Sequence, residues 1–491
     1  MKASELLNIS GINEYKIKKD FDVAGLSFDS RQVSSNYIFF AIKGSKQNGH
    51  EFIESAVRNG AKLVVCENDA DLSLSGFEII YTANIRRTMA EISCNFFGNP
   101  SSKVKVIGIT GTNGKTTISY LIKHILEFAG FKSGLIGTID YISKSGKKVD
   151  AKLTTPDSIE MNQFLREMAD NKMDFCVMEV SSIALTNYRV HTINYDTAVF
   201  TNLTSEHMDL HQNMENYFSA KQILFNTLSS VSFAVSNADD IYGIRILENI
   251  ICESNYYSIT GYSDYKAENV KLSLSGLTFD LYLDDIIYKI KSNLTGKFNV
   301  YNILAAISVC RRYGIKTENI VQSISSFSAV KGRFNRITLK NNAFAIIDYS
   351  HTSDSLKNAI EAAVEIRNAE YPNSRVITVF GCGGDKDKTK RPVMGQIASE
   401  LSDIVIITSD NPRTENPQSI IEDIKKGIKN IKNCMEEVNR EHAIKKSLEL
   451  SKIGDIILIC GKGHETYQEI NGVRTHFDDE EIVLKYNELI P

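Results

Sequence analysis

A glycine-interrupted turn between a β-branched run and a helix-forming segment constrains this chain more than any other feature. Residues 104–120 read VKVIGITGTNGKTTISY. Val104, Val106, Ile107 and Ile109 suit a parallel strand buried on both faces. Gly108, Gly111 and Gly114 let the backbone turn sharply and approach a ligand closely. Lys115-Thr116-Thr117 then opens a helix, whose N-terminal N–H groups and dipole favour a polyphosphate. In that geometry Lys115 lies along the β- and γ-phosphates and the Thr116 hydroxyl ligates Mg²⁺. The common G-x-x-x-x-G-K-[ST] spacing would place glycine at position 109, which is Ile109, so the match is a variant, GxxGxxGKT. It reads as an ATP site, with Gly111, Thr112, Asn113, Gly114, Lys115, Thr116 and Thr117 facing the nucleotide.

A chain of 491 residues has length for about three domains. Its net charge of -4, with 24% charged residues, argues against a broad nucleic-acid-binding surface, so anionic ligands must be held by local cations and helix termini. Eight scattered cysteines form no CxxC pair and no zinc spacing, which suits reduced thiols in a cytoplasmic protein. MKASELLNIS lacks an apolar signal core and no apolar stretch approaches 18 residues, so no membrane insertion is expected.

Residues 1–98 alternate strand-like and helix-like segments, a small α/β unit with 63–68 and 77–82 as strand candidates. The cluster Gly98-Asn99-Pro100-Ser101-Ser102 marks a break. Beyond the glycine-rich turn, FCVMEVSS (175–182) is an apolar strand ending in Glu179, either a carboxylate for Mg²⁺ or a buried, capped acid. In LTTPDS (153–158) the proline ends a strand and Asp157 or Ser158 caps a helix. The polar stretch after 198–203 holds His207 and His211, each readable as structural or as a ligand. Lys221 on the next helix would pass as solvated. Asn299 and Asn302 stand where asparagines cap a helix. After Val330-Lys331-Gly332-Arg333-Phe334 a third α/β pattern starts. Its strands near 375, 403 and 455 run into turns carrying Lys, Arg, Asp or His, and parallel-sheet sites gather at such strand ends.

Together these segments resemble the Mur ligase family of cell-wall peptide synthetases, in the branch that adds the third amino acid. The likeness spans nearly the whole chain. It rests on DSRxV at Asp29, GTNGKTT at Gly111, TTPDS at Thr154, EVSS at Glu179, YFSAK at Tyr217, GKFNVYN at Gly296, DYSHTSDSL at Asp348, GCGGDKDKTKRP at Gly381, DNPR at Asp410 and GKGHE at Gly461. It implies an α/β, three-domain architecture. Residues 1–98 would be a UDP-MurNAc-binding domain, 99–332 a P-loop ATPase domain with a parallel sheet, and 333–491 a Rossmann-like amino-acid-binding domain. ATP would phosphorylate the γ-carboxylate of D-glutamate in UDP-MurNAc-L-Ala-D-Glu, and an incoming amine would attack the acyl phosphate.

The resemblance also implies roles for single residues. Lys115, Glu179, His207 and Lys221 would be catalytic, with Thr116, Glu179, His207 and Lys221 around Mg²⁺. Lys221 matches a position at which the family carries a carbamylated lysine, which replaces a cation by an oxygen ligand. Asn302, Arg333 and Asp348 would face ATP. Thr154, Thr155, Ser181, Asn187 and Arg189 would contact the muramoyl dipeptide, and Ser30 the uridine nucleotide. Lys386, Asp410, Asn411, Arg413, Gly461 and Glu465 would receive the amino acid. DNPR is the form of members specific for meso-diaminopimelate, since Arg413 can grip a far carboxylate bidentately. L-lysine, which lacks that group, is the alternative substrate. Several positions depart from the pattern: Lys386 stands for arginine, Ile183 for histidine, Asn187 for glutamine, Lys331 and Ser353 for proline. A folylpolyglutamate synthetase-like ligase would leave the DSRxV domain without purpose, and a non-catalytic nucleotide-binding scaffold would not need Lys115, Glu179, His207 and Lys221. The expectation is a monomeric ligase.

Overall fold

The computed structural model describes residues 1–8, 17–44, 47–67, 77–206, 208–429 and 431–489. His207 lies outside the described residues.

An eleven-stranded sheet forms the middle of the molecule. The strand Lys105–Thr110 lies at its centre, between Phe175–Glu179 and Thr197–Phe200, and is parallel to both. Burial on both faces explains its composition: Val106, Ile107 and Ile109 are fully enclosed. On one face the helices Lys115–Phe128 and Phe298–Arg312 contribute Ile118, Leu121, Ile122, Ile303 and Ile307 to a continuous core. On the other face Met161, Leu165, Leu224 and Phe225 pack from the helices Ser158–Asp170 and Met214–Asn226. Each fully buried Leu or Ile contributes roughly 1.5–3 kcal/mol relative to exposure. Antiparallel strands flank both ends of this sheet.

A four-stranded parallel sheet precedes it, with Tyr37–Phe40 and Ala61–Cys66 innermost. Its helix Ile85–Phe96 packs on Ser158–Asp170 of the central unit. A six-stranded sheet follows, ordered Asn335–Thr338, Phe344–Asp348, Ile456–Cys460, Val376–Phe380, Ile404–Thr408, Cys434–Glu437, and parallel except at the first strand. Four neighbouring strands therefore release the turns after Asp348, Cys460, Phe380 and Thr408 at one edge.

Local expectations fare unevenly. Asp157 caps its helix by accepting from Ile159 and Glu160 N–H, as TTPDS suggests. Asn299 and Asn302 do not cap: Lys297 holds the cap position, Asn299 Nδ2 donates to the Thr295 carbonyl and Asn302 Nδ2 to Asn299. All eight cysteines are free, six of them buried.

The last unit carries a fully buried ion pair, Arg440 Nε and Nη2 to the two Asp479 oxygens at 2.8 and 2.7 Å. A second bond from Arg440 Nη2 reaches the Cys460 carbonyl at 3.0 Å, beneath the turn that begins at Gly461. Asp479→Ala strands a buried guanidinium and should lower stability by about 3–5 kcal/mol. Urea unfolding followed by circular dichroism measures it, and an unchanged midpoint would contradict the assignment.

Candidate active site

Gly114 ends the glycine-rich turn with φ +92 and serves as cap of the helix Lys115–Phe128. A Cβ there would meet Asn302 Oδ1 at 2.5 Å, so the loop leaves no room for a side chain. Lys115 Nζ donates to the carbonyls of Gly111 and Thr112 at 2.9 and 2.8 Å. Lys221 Nζ reaches the same Gly111 carbonyl at 2.9 Å and lies 4.3 Å from the Tyr217 ring centre. This overturns the solvated reading of Lys221, whose residue is 1% exposed. Burial holds its amine well below the ordinary lysine range, and the neighbouring Lys115 charge lowers it further while Glu206 acts in the opposite sense. Burial also lowers the Lys115 pKa, against the pull of Glu206 and Glu179.

Glu179 ends its strand in full burial. Its carboxylate accepts from Thr116 Oγ1 at 3.0 Å, Thr138 N–H at 2.9 Å and Thr138 Oγ1 at 3.0 Å. A carboxylate and a hydroxyl side by side are hard oxygen donors, which suit Mg²⁺. No group of three or more His, Cys, Asp or Glu among the described residues is arranged to hold a metal alone. Phosphate oxygens and water would complete such a shell.

The third unit closes over this floor. Arg333 Nη2 donates to Thr116 Oγ1 at 3.1 Å, and its guanidinium lies 4.6 Å from the Tyr349 ring centre. Asp348 accepts from Phe334 and Ser350 N–H at 2.7 and 2.9 Å, and burial raises its pKa. Asp354, in the first turn of the helix Ser353–Glu370, accepts from Asn113 Nδ2 at 2.9 Å and Thr204 Oγ1 at 3.1 Å. His351 Nε2 stands 3.5 Å from Glu206. The cleft between the floor and the third unit measures about 690 Å³. Residues Thr112 to Thr117, Thr154, Glu179, Ser181, Asn302, Arg333 and Asp348 line it.

The remaining expected residues sit elsewhere. Thr155 lies beneath the floor, donating through Oγ1 to the Glu179 carbonyl at 2.8 Å, and Arg189 Nη1 donates to the Thr155 carbonyl at 3.1 Å. Asn187 Nδ2 turns back to the Ile183 carbonyl. Ser30 is buried in a short turn of the first unit, capped by Asp29, and is not part of the cavity wall. Asp410, Asn411, Gly461 and Glu465 form a second cluster: Asn411 Nδ2 donates to Glu465 at 2.8 Å, and a Cβ on Gly461 would meet Asp410 Oδ2 at 2.4 Å. Arg413 joins it with Nη1 donating to the Gly384 carbonyl at 2.7 Å, while Lys386 is exposed.

Sequence reasoning passed over Thr138, Glu206, His351, Asp354 and Lys462. Lys462 is wholly buried and donates to Asn411 and Glu465 at 3.2 and 3.1 Å. His351, Asp354 and Lys462 stand inside motifs already singled out, DYSHTSDSL and GKGHE, but Thr138 carries no local signal.

Comparison with known proteins points one way. Residues 22–95 match the model described as Mur ligase family, catalytic domain, residues 109–310 the Mur ligase middle domain, and 332–463 the Mur ligase, glutamate ligase domain. A relative named UDP-N-acetylmuramoyl-L-alanyl-D-glutamate--2,6-diaminopimelate ligase 1, from Clostridium acetobutylicum, is 43% identical over 95% of each chain. A solved structure titled with the same ligase activity superposes with TM-score 0.67 at 31% identity, covering 97% of both chains. The fold is also that of a MurF ligase from Thermotoga maritima solved in complex with ADP, at TM-score 0.64 and 19% identity over 94% of this chain and 97% of that one.

His464 lies where the two clusters meet, 4.9 Å from the Tyr349 ring centre, with Nδ1 buried and unbonded. Burial first, then the charges of Arg333 and Lys331, push its pKa down to about 3. Protonation therefore favours the unfolded chain, and the stability His464 contributes is present above about pH 6.5 and falls away toward its folded pKa. Its imidazole ¹³C resonance should stay flat from about pH 7.5 to 5. A midpoint near the ordinary histidine value would contradict this.

Proposed function

The chain belongs to the Mur ligase family, and from that premise we propose that it adds meso-diaminopimelate to UDP-MurNAc-L-Ala-D-Glu, as an ATP-dependent amide ligase of peptidoglycan precursor synthesis. The observation that carries this reading is a cavity in which Lys115, Thr116 and Glu179 face Arg333 and Asp348 across the cleft. The division of labour follows the sequence motifs: 1–98 for the UDP-muramoyl moiety, 99–332 for ATP and 333–491 for the amino acid.

A carboxylate is a poor acyl donor, so the γ-carboxylate of D-glutamate must first take the γ-phosphoryl of ATP. The bond from the carboxylate oxygen to phosphorus forms as the bond from phosphorus to the ADP oxygen breaks. Lys115 and the loop N–H groups offset charge on the phosphates, and Arg333 brings a further cation from the opposite wall. The amine of the third amino acid then attacks the acyl carbon, and the tetrahedral intermediate expels phosphate. Closure over the cleft keeps water from the acyl phosphate. Thr154 and Ser181 on the wall, and Thr155, Asn187 and Arg189 behind it, suit the polar muramoyl dipeptide, with Ser30 toward the uridine end.

Thr116 and Glu179 would hold Mg²⁺, to which the family resemblance adds His207, and the ion would supply charge neutralisation on the phosphates. Lys221 suits carbamylation because burial lowers the pKa of its amine, which favours the unprotonated form that reacts. A free amine adds to CO₂, the N–C bond forms, a proton leaves to water, and the product is an anionic oxygen ligand beside Lys115. No helix among the described residues is long and apolar enough to cross a membrane. The reading includes a cytoplasmic monomer that binds no nucleic acid.

Phosphate release by the purified protein with ATP, Mg²⁺ and UDP-MurNAc-L-Ala-D-Glu tests the reaction. Stimulation by meso-diaminopimelate and not by L-lysine is the expected result, and stimulation by lysine alone would overturn the choice of amino acid. Lys221→Ala should lose activity by about 10²-fold or more, as expected when transition-state charge loses a preorganised partner. Normal turnover by that variant would refute the carbamate role.

A further inference from the structure

Of the non-glycine residues with left-handed backbone in the third unit, Asp385 at φ +53 and Arg413 at φ +52 sit on facing turns. Such a conformation persists in a non-glycine residue only where its surroundings hold it. Here each turn holds the other. Thr414 donates through N–H and Oγ1 to the Asp385 carboxylate at 3.2 and 2.8 Å. Glu415 Oε1 accepts from Asp385 N–H at 2.7 Å. Gly384 N–H returns a bond to the Asn411 carbonyl at 2.9 Å.

Behind these turns lies Arg391, 1% exposed and on the helix Lys390–Leu401. It grips Glu415 with both terminal nitrogens, Nη2 to Oε1 at 2.8 Å and Nη1 to Oε2 at 3.0 Å, and reaches Asp423 at 3.0 Å. Lys388 adds a contact to Glu415 at 3.0 Å. With so many donors, Glu415 is held ionised, its pKa lowered to about 2 chiefly by Arg391.

The side chains of Arg413 and Lys386, carried by the clamped turns, flank one glycine. A Cβ on Gly383 would meet Arg413 Nη1 at 2.9 Å and Lys386 Cγ at 3.9 Å. We propose that Glu415, backed by Arg391, is a positioning residue that sets Lys386 and Arg413 side by side as a two-cation seat for the distal carboxylate of the incoming amino acid. Glu415 touches no substrate. It acts by tying the turn of Lys386 to the turn of Arg413, so the missing fork at Lys386 is offset by placement. The inference deepens the amino-acid assignment and rests on it.

The test compares wild type, Glu415→Ala and the double variant Arg391→Met/Glu415→Met in the phosphate-release assay, titrating meso-diaminopimelate and ATP separately, with a thermal midpoint for each. The double variant replaces the buried pair by apolar groups and so restores packing without restoring the tether. Both variants should raise KM for meso-diaminopimelate about 10-fold or more while KM for ATP holds, since small misplacements of a binding group carry such penalties. If the double variant recovers stability and also recovers KM for meso-diaminopimelate, the pair is merely structural and the proposal fails. If Glu415→Ala alone does not fold, the double variant decides. Wild type stimulated by lysine and not by meso-diaminopimelate would instead sink the substrate reading. In that event an unchanged lysine KM in the variants would sink the clamp as well, and a raised one would keep it as an amino-acid clamp.

Discussion

Two lysine amines converge on one backbone carbonyl. Lys115 and Lys221 both donate to Gly111 O at 2.9 Å, in a place where burial lowers the pKa of each. Positive charge on either amine disfavours it on the other, and burial disfavours it on both, so the site favours a bound anion. Three sources of negative charge relieve it: Glu206 and Glu179 from the protein, phosphate from ATP, and a carbamate if Lys221 is converted. The glycine at 111 is what permits the geometry, because at φ +142 a Cβ would collide with Thr201 Oγ1 at 1.8 Å. The loop therefore does more than cradle phosphate. It brings an amine from a helix about a hundred positions away into the same electrostatic problem.

The upper wall of the cavity answers that charge from a distant part of the chain. Arg333 bonds to Thr116, Asp354 to Asn113 and Thr204, and His351 approaches Glu206. Each contact lands on a residue of the floor next to where phosphate chemistry is proposed. Burial raises the Asp354 pKa, with Glu206 and Glu361 adding to the rise and Thr204 and Lys357 opposing it. A carboxylate is tolerated there because Asn113 and Thr204 supply donors from the facing unit. The contacts that join the two walls are thus the same ones that satisfy these polar groups.

What the sequence made legible was local. The strand before Gly111, the helix after Gly114, the Asp157 cap and the strand ending at Glu179 each follow from a few adjacent side chains. The clustering of the turns after Phe380, Thr408 and Cys460 was legible from strand pattern alone, because parallel strands deliver their C-terminal ends to one edge. Burial of Lys221 was not, since a helix of modest apolar contrast reads the same whether its lysine faces water or a loop from another strand. Thr138 gave no signal, because its partner Glu179 is adjacent only once Ser133–Ile136 has paired with Phe175–Glu179. Asn302 misled for the opposite reason: it lies near a helix start, but its carbonyl side packs over Gly114 and its amide is used within the helix.

The junction between the second and third units shows how a local departure is absorbed. The family resemblance leads one to expect proline at 331, where a fixed φ would stiffen the entry to Gly332 and Arg333. Lysine lacks that constraint, yet here its amine is bonded to Asp478 at 2.6 Å. Asp478 is 1% exposed and also caps the helix Asp479–Asn487. Lys331 itself is partly exposed, so the pair contributes modestly to stability. The stiffer element is Gly332, at φ +66 with its Cα against the backbone of Gly463 and His464, where any Cβ would overlap at 2.1 Å. Phe334, left-handed at φ +53, is held from the other side by Asp348. Arg333 is thus carried between two backbone contacts that belong to the third unit, and its guanidinium meets Thr116 from that unit. Restraint lost at one residue is supplied by packing at its neighbours, which leaves the lysine free to act as a tether to the terminal helix.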